Sequence, residues 1–292
     1  MTSRLLSLRR DDVFPDPELA PERDALNCIR ILTRLLPFLF ESEPLEEWQT
    51  KFFWGLRRKR VRGATESDVI FDETDQPPEE QAEYEDAQPL MEELIDVLID
   101  LLFYQGFTLP PNSGAAGESK VSYAIWQSGV GCNVPVGTTK EGESNKIEIL
   151  RLLLAITSKA MFMPASVLPV KGEKALTYMT TCPDKRAVLS VLCSLLNTTV
   201  KYNPASWRVP YDHVVFTDPR QVLVTYSLQM LLVLLLYPVP AAAGPGLKNN
   251  YRQYLGRLHR TQDFQFCVDG MTRILNQPVR WSSEIERAQT DN

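Results

Sequence analysis

The sequence is poor in the residues that most catalytic and metal sites use. Histidine occurs only twice in 292 residues, as His213 and His259. The five cysteines are scattered, and none shows the C-x-x-C spacing of zinc sites and thioredoxin-like redox pairs. We therefore expect no metal site, no cofactor and no histidine-based triad. The cysteines are expected to be reduced, mostly buried thiols of a cytosolic protein.

The chain also lacks the excess of positive charge that general nucleic-acid binding needs. Lys and Arg total 31 against 37 Asp and Glu, so the net charge is −6. This charge is unevenly distributed, since residues 64–86 hold ten acidic and no basic side chains. The rest of the chain carries a net charge of +4, which leaves room for contact with an anionic membrane surface.

Targeting and membrane-spanning signals are missing as well. The first residues have no apolar core or small-residue cleavage site, and residue 2 is Thr rather than the Gly of N-myristoylation. The most apolar run, residues 222–237, has 16 residues. A membrane span needs roughly 20. We interpret this run as a helix buried on all sides.

What the sequence does contain is helical periodicity. Apolar residues recur at three-to-four spacing, whereas no segment alternates as a strand would. Ser144 and Asp184 are predicted N-caps, and Pro37 should kink or break the first helix. The predicted helices cover residues 22–41, 87–104, 144–163, 173–181, 184–202, 219–237, 247–258 and 262–276.

The predicted fold class is all-α, with stacked helix pairs in an armadillo- or HEAT-like α-solenoid fragment. Composition divides the chain into five parts. They are a poorly ordered segment 1–21, the first helices 22–56, a basic-then-acidic disordered loop 57–86, the remaining helical domain 87–277, and a frayed tail 278–292.

Two groups of residues are candidate membrane or partner contacts. The first is the basic cluster Arg57, Arg58, Lys59, Arg60 and Arg62. It fits a solvated helix end paired with the acidic stretch, a patch for anionic lipid, or a nuclear-localisation signal. The second is the aromatic pair Trp48 and Trp54, which fits core packing or an anchor for a partner.

Other patterns carry little chemical signal. The carboxylates on helix 87–104 are interpreted as a solvated face. Gly129 and Gly131 do not complete a G-x-G-x-x-G phosphate loop. Asp212 and His213 could form a catalytic pair, but neighbouring residues rarely face each other usefully, and a role in ordering the loop is favoured.

Several strings, in order, resemble the high-temperature-induced dauer-formation protein family, which is related to dymeclin. They are ALNCIRILTRLLPFLFE, FFW, LIDLLF, YAIWQSGVG, EILRLLLAITSKAMFMP, SLLNTTVKYNP and VPYDHVVFTDPR. The strings span most of residues 24–237 and contain no catalytic motif. Because members of the family are far longer, the chain resembles their N-terminal portion.

The resemblance implies a mostly helical, non-enzymatic scaffold or adaptor. It implies a cytoplasmic protein, peripheral at the Golgi and trans-Golgi membrane. There it would act in protein sorting and secretory-vesicle trafficking with protein partners, and without nucleic acid or a small-molecule substrate. Two alternatives remain open. One is a hydrolase-like enzyme that uses Asp212 and His213 or a cysteine, and the other is a nuclear adaptor that uses the basic cluster.

Overall fold

The computed structural model describes residues 21–60, 69–71, 84–111, 120–203 and 219–276. Helices dominate these residues. The α-helices are α1 (Pro21–Glu41), α2 (Glu46–Trp54), α3 (Leu90–Leu101), α4 (Lys140–Thr157), α5 (Leu168–Lys171), α6 (Lys174–Thr181), α7 (Lys185–Lys201), α8 (Pro219–Leu236), α9 (Asn250–Leu255) and α10 (Thr261–Leu275). The strands are β1 (Arg57–Arg60), β2 (Val69–Phe71) and β3 (Tyr84–Ala87). Short 3₁₀ helices cover Glu43–Leu45, Ser158–Phe162 and Ala241–Ala243.

The helices pack around one continuous core. Helix α4 contacts both α1 and α8, and α8 in turn contacts α7. Helices α9 and α10 pack against α7, while α3 contacts α2, α4 and α6. The all-α prediction is confirmed. The solenoid arrangement and the five segment boundaries stay predictions.

Local sequence signals place some helix ends correctly and misplace others. Asp184 is the N-cap of α7, as predicted, and accepts hydrogen bonds from the amides of Arg186 and Ala187. Ser144 is not an N-cap, because α4 begins earlier. Its cap is Thr139, whose Oγ1 accepts from the Gly142 amide at 2.9 Å.

Helix α1 continues through Pro37, so the predicted break is wrong. Proline removes one backbone hydrogen bond and crowds the preceding turn. Leu36 and Phe40, on either side of it, are both buried in the common core. Packing against α4 therefore holds the last turn of α1 in helical form despite the proline.

A small antiparallel sheet replaces part of the loop predicted over residues 57–86. Its strand order is β2-β1-β3. The register sets Arg58 opposite Asp86 and Lys59 opposite Glu85. Opposite charges at such cross-strand positions stabilise a ladder. The disordered-loop prediction is thus corrected at the three strands, while residues 61–68 and 72–83 lie outside the described part of the chain.

Helix α8 is not buried on all sides, which corrects the prediction for the apolar run. Met230 and Leu234 are buried, but Leu228, Leu232 and Leu236 form an exposed row. Helices α4 and α7 cover only the side of α8 that faces them. Within the described ranges, no helix combines the length and the hydropathy that crossing a bilayer requires.

Residues 122–128 contain no helix or strand, yet they run against the core. Trp126 is 1% exposed, and its Nε1 donates to the Leu102 carbonyl at 3.2 Å. Its amide donates to Ser194 Oγ at 3.3 Å. The indole lies 5.7 Å from the ring of Phe103, and the ammonium of Lys146 lies 5.0 Å from its centroid. Trp126 therefore joins this segment to the two residues that follow α3, to α4 and to α7.

One face of α7 supplies the polar groups that this segment needs. Ser190, Ser194 and Asn197 follow one another at helical spacing, and all three are buried. Asn197 Oδ1 accepts from the Val130 amide at 2.9 Å, and its Nδ2 donates to the carbonyls of Gln127 and Val130 at 2.9 and 3.0 Å. The side chains of α7 therefore take the place of a neighbouring strand.

Two glycines allow this close packing. At Gly129, φ is 152°, and an added Cβ would lie 2.7 Å from Asn197 Oδ1. At Gly270, an added Cβ would lie 2.1 Å from Val200 Cγ1, where α10 crosses α7. At both positions the backbone lies so close to α7 that only glycine fits, and this accounts for Gly129 without a phosphate-binding role.

We predict that Asn197→Leu lowers the free energy of unfolding by about 3 kcal/mol or more. The change keeps the volume similar but removes the partner of three backbone groups, of which the amide and carbonyl of Val130 are buried and would cost about 1–3 kcal/mol each. Urea denaturation of the purified chain measures the change. Thr225→Ala, at an exposed position of α8, removes only a hydroxyl bonded to its own helix and is the control. A shift for Asn197→Leu as small as that of the control would contradict the role assigned to Asn197.

Candidate functional site

Among the described residues, a partly enclosed cavity of about 210 Å³ lies where several helix ends meet. It lies among the end of α1, helix α2, the start of α3, the end of α4, the end of α5 and the start of α6. Its apolar wall consists of Phe40, Phe53, Trp54, Met91, Ile156, Met163 and Ala175. Its polar wall consists of Glu46, Gln49, Thr50, Lys159, Lys171, Glu173 and Lys174.

Gln49 fixes the geometry on one side of the cavity. It is buried, and its Nε2 donates to the carbonyl of Leu39 and, at 3.4 Å, to that of Ser42. Leu39 lies in the last turn of α1 and Ser42 directly follows the helix, where no further helical turn supplies amide donors to the carbonyls. The Oε1 of Gln49 accepts from Lys159 Nζ at 3.0 Å. One side chain thus ties α2 to α1 and to the 3₁₀ helix after α4.

Three lysines place positive charge at the cavity. The ammonium of Lys159 lies 5.8 Å from the ring centroid of Phe40. That of Lys174 lies 5.7 Å from the ring of Trp54. Lys171 is exposed at the end of α5. Aromatic faces attract cations at these distances and so hold two of the ammonium groups beside the apolar wall.

Glu173 is a buried carboxyl beside these lysines. It is the N-cap of α6, and its two oxygens accept from the amides of Ala175 and Leu176 at 3.0 and 2.7 Å. Burial raises its pKa to about 7, against the opposing effects of these two hydrogen bonds and of Lys159 and Lys174. The group therefore changes charge close to neutral pH.

Tyr237 holds the backbone of Glu173 in place. Its hydroxyl accepts from the Glu173 amide at 2.9 Å. The same oxygen lies 2.7 Å from the hydroxyl of Thr177 on α6. Because Tyr237 directly follows α8, these contacts fix the cavity wall to a helix that is distant in sequence.

The aromatic residues singled out from the sequence have different surroundings. Trp48 is 46% exposed, and its ring stacks on that of Phe52 at 4.8 Å. Trp54 lines the cavity beneath Lys174. Trp48 and Phe52 therefore share one face of α2. That Trp48 and Trp54 serve as partner contacts stays a prediction.

The basic cluster does not form one exposed patch. Arg57 is 3% exposed and donates to Glu93 Oε2 of α3 at 2.6 Å. Arg57 therefore cannot contact lipid, which corrects its place in the candidate surface. Arg58 is exposed on β1, where Lys59 and Arg60 follow it. Arg62 lies outside the described residues.

The residues of the hydrolase alternative are not supported by the described geometry. Asp212 and His213 lie outside the described residues. Burial raises the pKa of Cys193 to about 11, and it also raises the pKa values of Cys182 and Cys267. A nucleophilic cysteine needs the opposite shift, since the thiolate is the reactive form. Among the described residues, no group of three or more His, Cys, Asp or Glu side chains could hold a metal ion.

Comparison with known proteins decides the family. The family model described as high-temperature-induced dauer-formation protein matches residues 1–291. The chain belongs to the Hid1 family. It is 32% identical to the Ubp5-interacting protein ftp105 of Schizosaccharomyces pombe, over 96% of this chain and 37% of that protein. It is 31% identical to Protein HID1 of Homo sapiens, over 87% of this chain and 33% of that protein.

A third relative, Protein HID1 of Dictyostelium discoideum, is 26% identical over 66% of this chain and 25% of that protein. No solved structure matches the chain significantly. The chain spans about a third of the length of the first two Hid1 relatives.

Sequence reasoning missed the cavity and its charged residues. The one available signal is the string KGEK at residues 171–174, which sets three charges around a glycine between two short helices. Glu is not among the side chains that usually cap a helix N-terminus. The role of Glu173 therefore had no local signature.

We predict that Glu173→Gln removes a pH dependence of stability between about pH 4.5 and 7. The folded-state pKa is raised above the unfolded value, so the folded chain binds more protons in this window. Stability contributed by the neutral carboxyl is present below the window and is lost as the pH rises through it, by up to about 3 kcal/mol.

Denaturation of both proteins at a series of pH values measures this difference in slope. The glutamine variant loses one capping hydrogen bond, which lowers its free energy of unfolding by the same amount at every pH. The slope of that free energy against pH can therefore still be compared with wild type. Glu46→Gln, an exposed carboxylate on the same cavity, is the control. Parallel pH profiles for wild type and Glu173→Gln would contradict the raised pKa of the buried Glu173 carboxyl.

Proposed function

We propose that this chain serves as a non-enzymatic scaffold or adaptor in Golgi and trans-Golgi protein sorting and secretory-vesicle trafficking. The observation that carries the proposal is the match to the Hid1 family over residues 1–291. We further propose that it works at the cytoplasmic side as a peripheral membrane protein with protein partners. A relative is named as an interactor of Ubp5, which supports a partner-binding role for this chain.

Exposed apolar side chains support the same proposal. On α10, Phe264, Val268, Met271 and Leu275 form an exposed row, while Cys267 of the same helix is buried. Leu228, Leu232 and Leu236 form the corresponding row on α8. Contiguous apolar surface of this kind is typical of sites that other protein surfaces cover. A helical body with such rows suits a scaffold better than it suits an enzyme.

Imaging and complementation test the proposal together. The protein, tagged at its own chromosomal locus, is expected in puncta that coincide with a trans-Golgi marker. Cys132 is a half-buried free thiol. His213→Ala and Cys132→Ser are expected to leave the sorting of a secreted cargo unchanged, since the proposed role has no chemical step at either side chain. A uniform cytosolic signal would contradict the Golgi role. Loss of sorting in either variant, with normal protein level, would favour the hydrolase alternative.

A further inference from the structure

The cavity beside α2 and α6 has no part in the trafficking role proposed above. Its volume is about 210 Å³, and its apolar wall includes Phe40, Phe53 and Ile156. An engineered apolar cavity of about 150 Å³ accommodates benzene. The cavity is therefore large enough for an apolar group the size of a phenyl ring.

The charged side chains around the cavity determine which polar group a bound ligand could carry beside its apolar ring. Lys159, Lys171 and Lys174 line it, against the carboxyl groups of Glu46 and Glu173. Both oxygens of Glu173 already accept backbone amides of α6. An ammonium has three N–H donors, and Lys159 gives one of them to Gln49. The arrangement thus favours an anionic group over a cationic one.

The apolar wall and the lysine ammonium groups are adjacent, so that one ligand could contact both. Lys159 and Lys174 lie over Phe40 and Trp54, so each ammonium borders the apolar wall directly. Ligand sites commonly combine a mainly apolar lining with a few such placed polar groups.

We propose that this cavity binds a small amphipathic carboxylate, with its apolar ring against Phe40, Phe53 and Ile156 and its carboxylate between Lys159 and Lys174. The ligand is bound and released unchanged, without a chemical step. The inference does not depend on the trafficking role, since it rests on the cavity alone.

Calorimetric titration of the full chain with three probes tests the proposal. Phenylacetate, 2-phenylethanol and 2-phenylethylammonium share one ring and differ in the charge of the head group. Phenylacetate is expected to bind with a Kd at least about tenfold lower than that of the alcohol, because charge-assisted hydrogen bonds are the stronger ones. The ammonium probe is expected to bind weakest.

Variants localise the effect. Lys174→Met changes an exposed side chain, so the fold is retained, and it is expected to weaken phenylacetate about tenfold while leaving the alcohol unchanged. Lys159→Met is also expected to weaken phenylacetate binding about tenfold and to leave binding of the alcohol unchanged. Lys185→Met removes an equal charge from the exposed start of α7, outside the cavity, and is expected to have no effect.

Several results would overturn the inference. They are equal affinity for the three probes, tightest binding of the ammonium, absence of binding by all three, or an equal loss with Lys185→Met. The first would show an unselective apolar cavity, and the last would show general attraction to surface charge.

Discussion

The structure depends on how the partly buried segment 122–130, which forms no helix or strand, satisfies the hydrogen-bonding groups of its backbone. A buried amide or carbonyl without a partner costs about 1–3 kcal/mol, so residues 122–130 need substitutes for a ladder. The buried polar face of α7 provides them through Ser190, Ser194 and Asn197. Two of the strings that carry the Hid1 resemblance, YAIWQSGVG and SLLNTTVKYNP, are the two sides of this contact. The resemblance therefore includes a structural unit as well as a series of helices.

The same constraint extends to the neighbouring helices. Trp126 is held between the residue that follows α3 and helix α7, and Lys146 of α4 lies over its ring. Burial lowers the pKa of Lys146 to about 8, because the charged ammonium loses its hydration. The face of the Trp126 indole offsets part of this desolvation cost by attracting the cation. Near the other end of α4, Gln49 and Glu173 satisfy helix termini around the cavity. Buried polar side chains thus fix both regions, and the apolar core fills the space between them.

The sequence predicts what local periodicity and local caps determine. The helices were predictable because apolar spacing marks them, and Asp184 because its partners are the next few amides of the chain. Asn197 was not, because the Val130 amide lies 67 residues away. Arg57 looked like surface charge because its partner Glu93 lies 36 residues further along. The cavity could not be predicted for the same reason, since its walls come from six helices that only the fold brings together.

Hydrogen exchange at individual amides of the full chain tests the central claim most directly. If the side chains of α7 secure residues 122–130, the Val130 and Trp126 amides should exchange as slowly as amides within α7. They should be slower than the amide of exposed Val134 by at least about 100-fold. Exchange of Val130 as fast as that of Val134 would contradict the account.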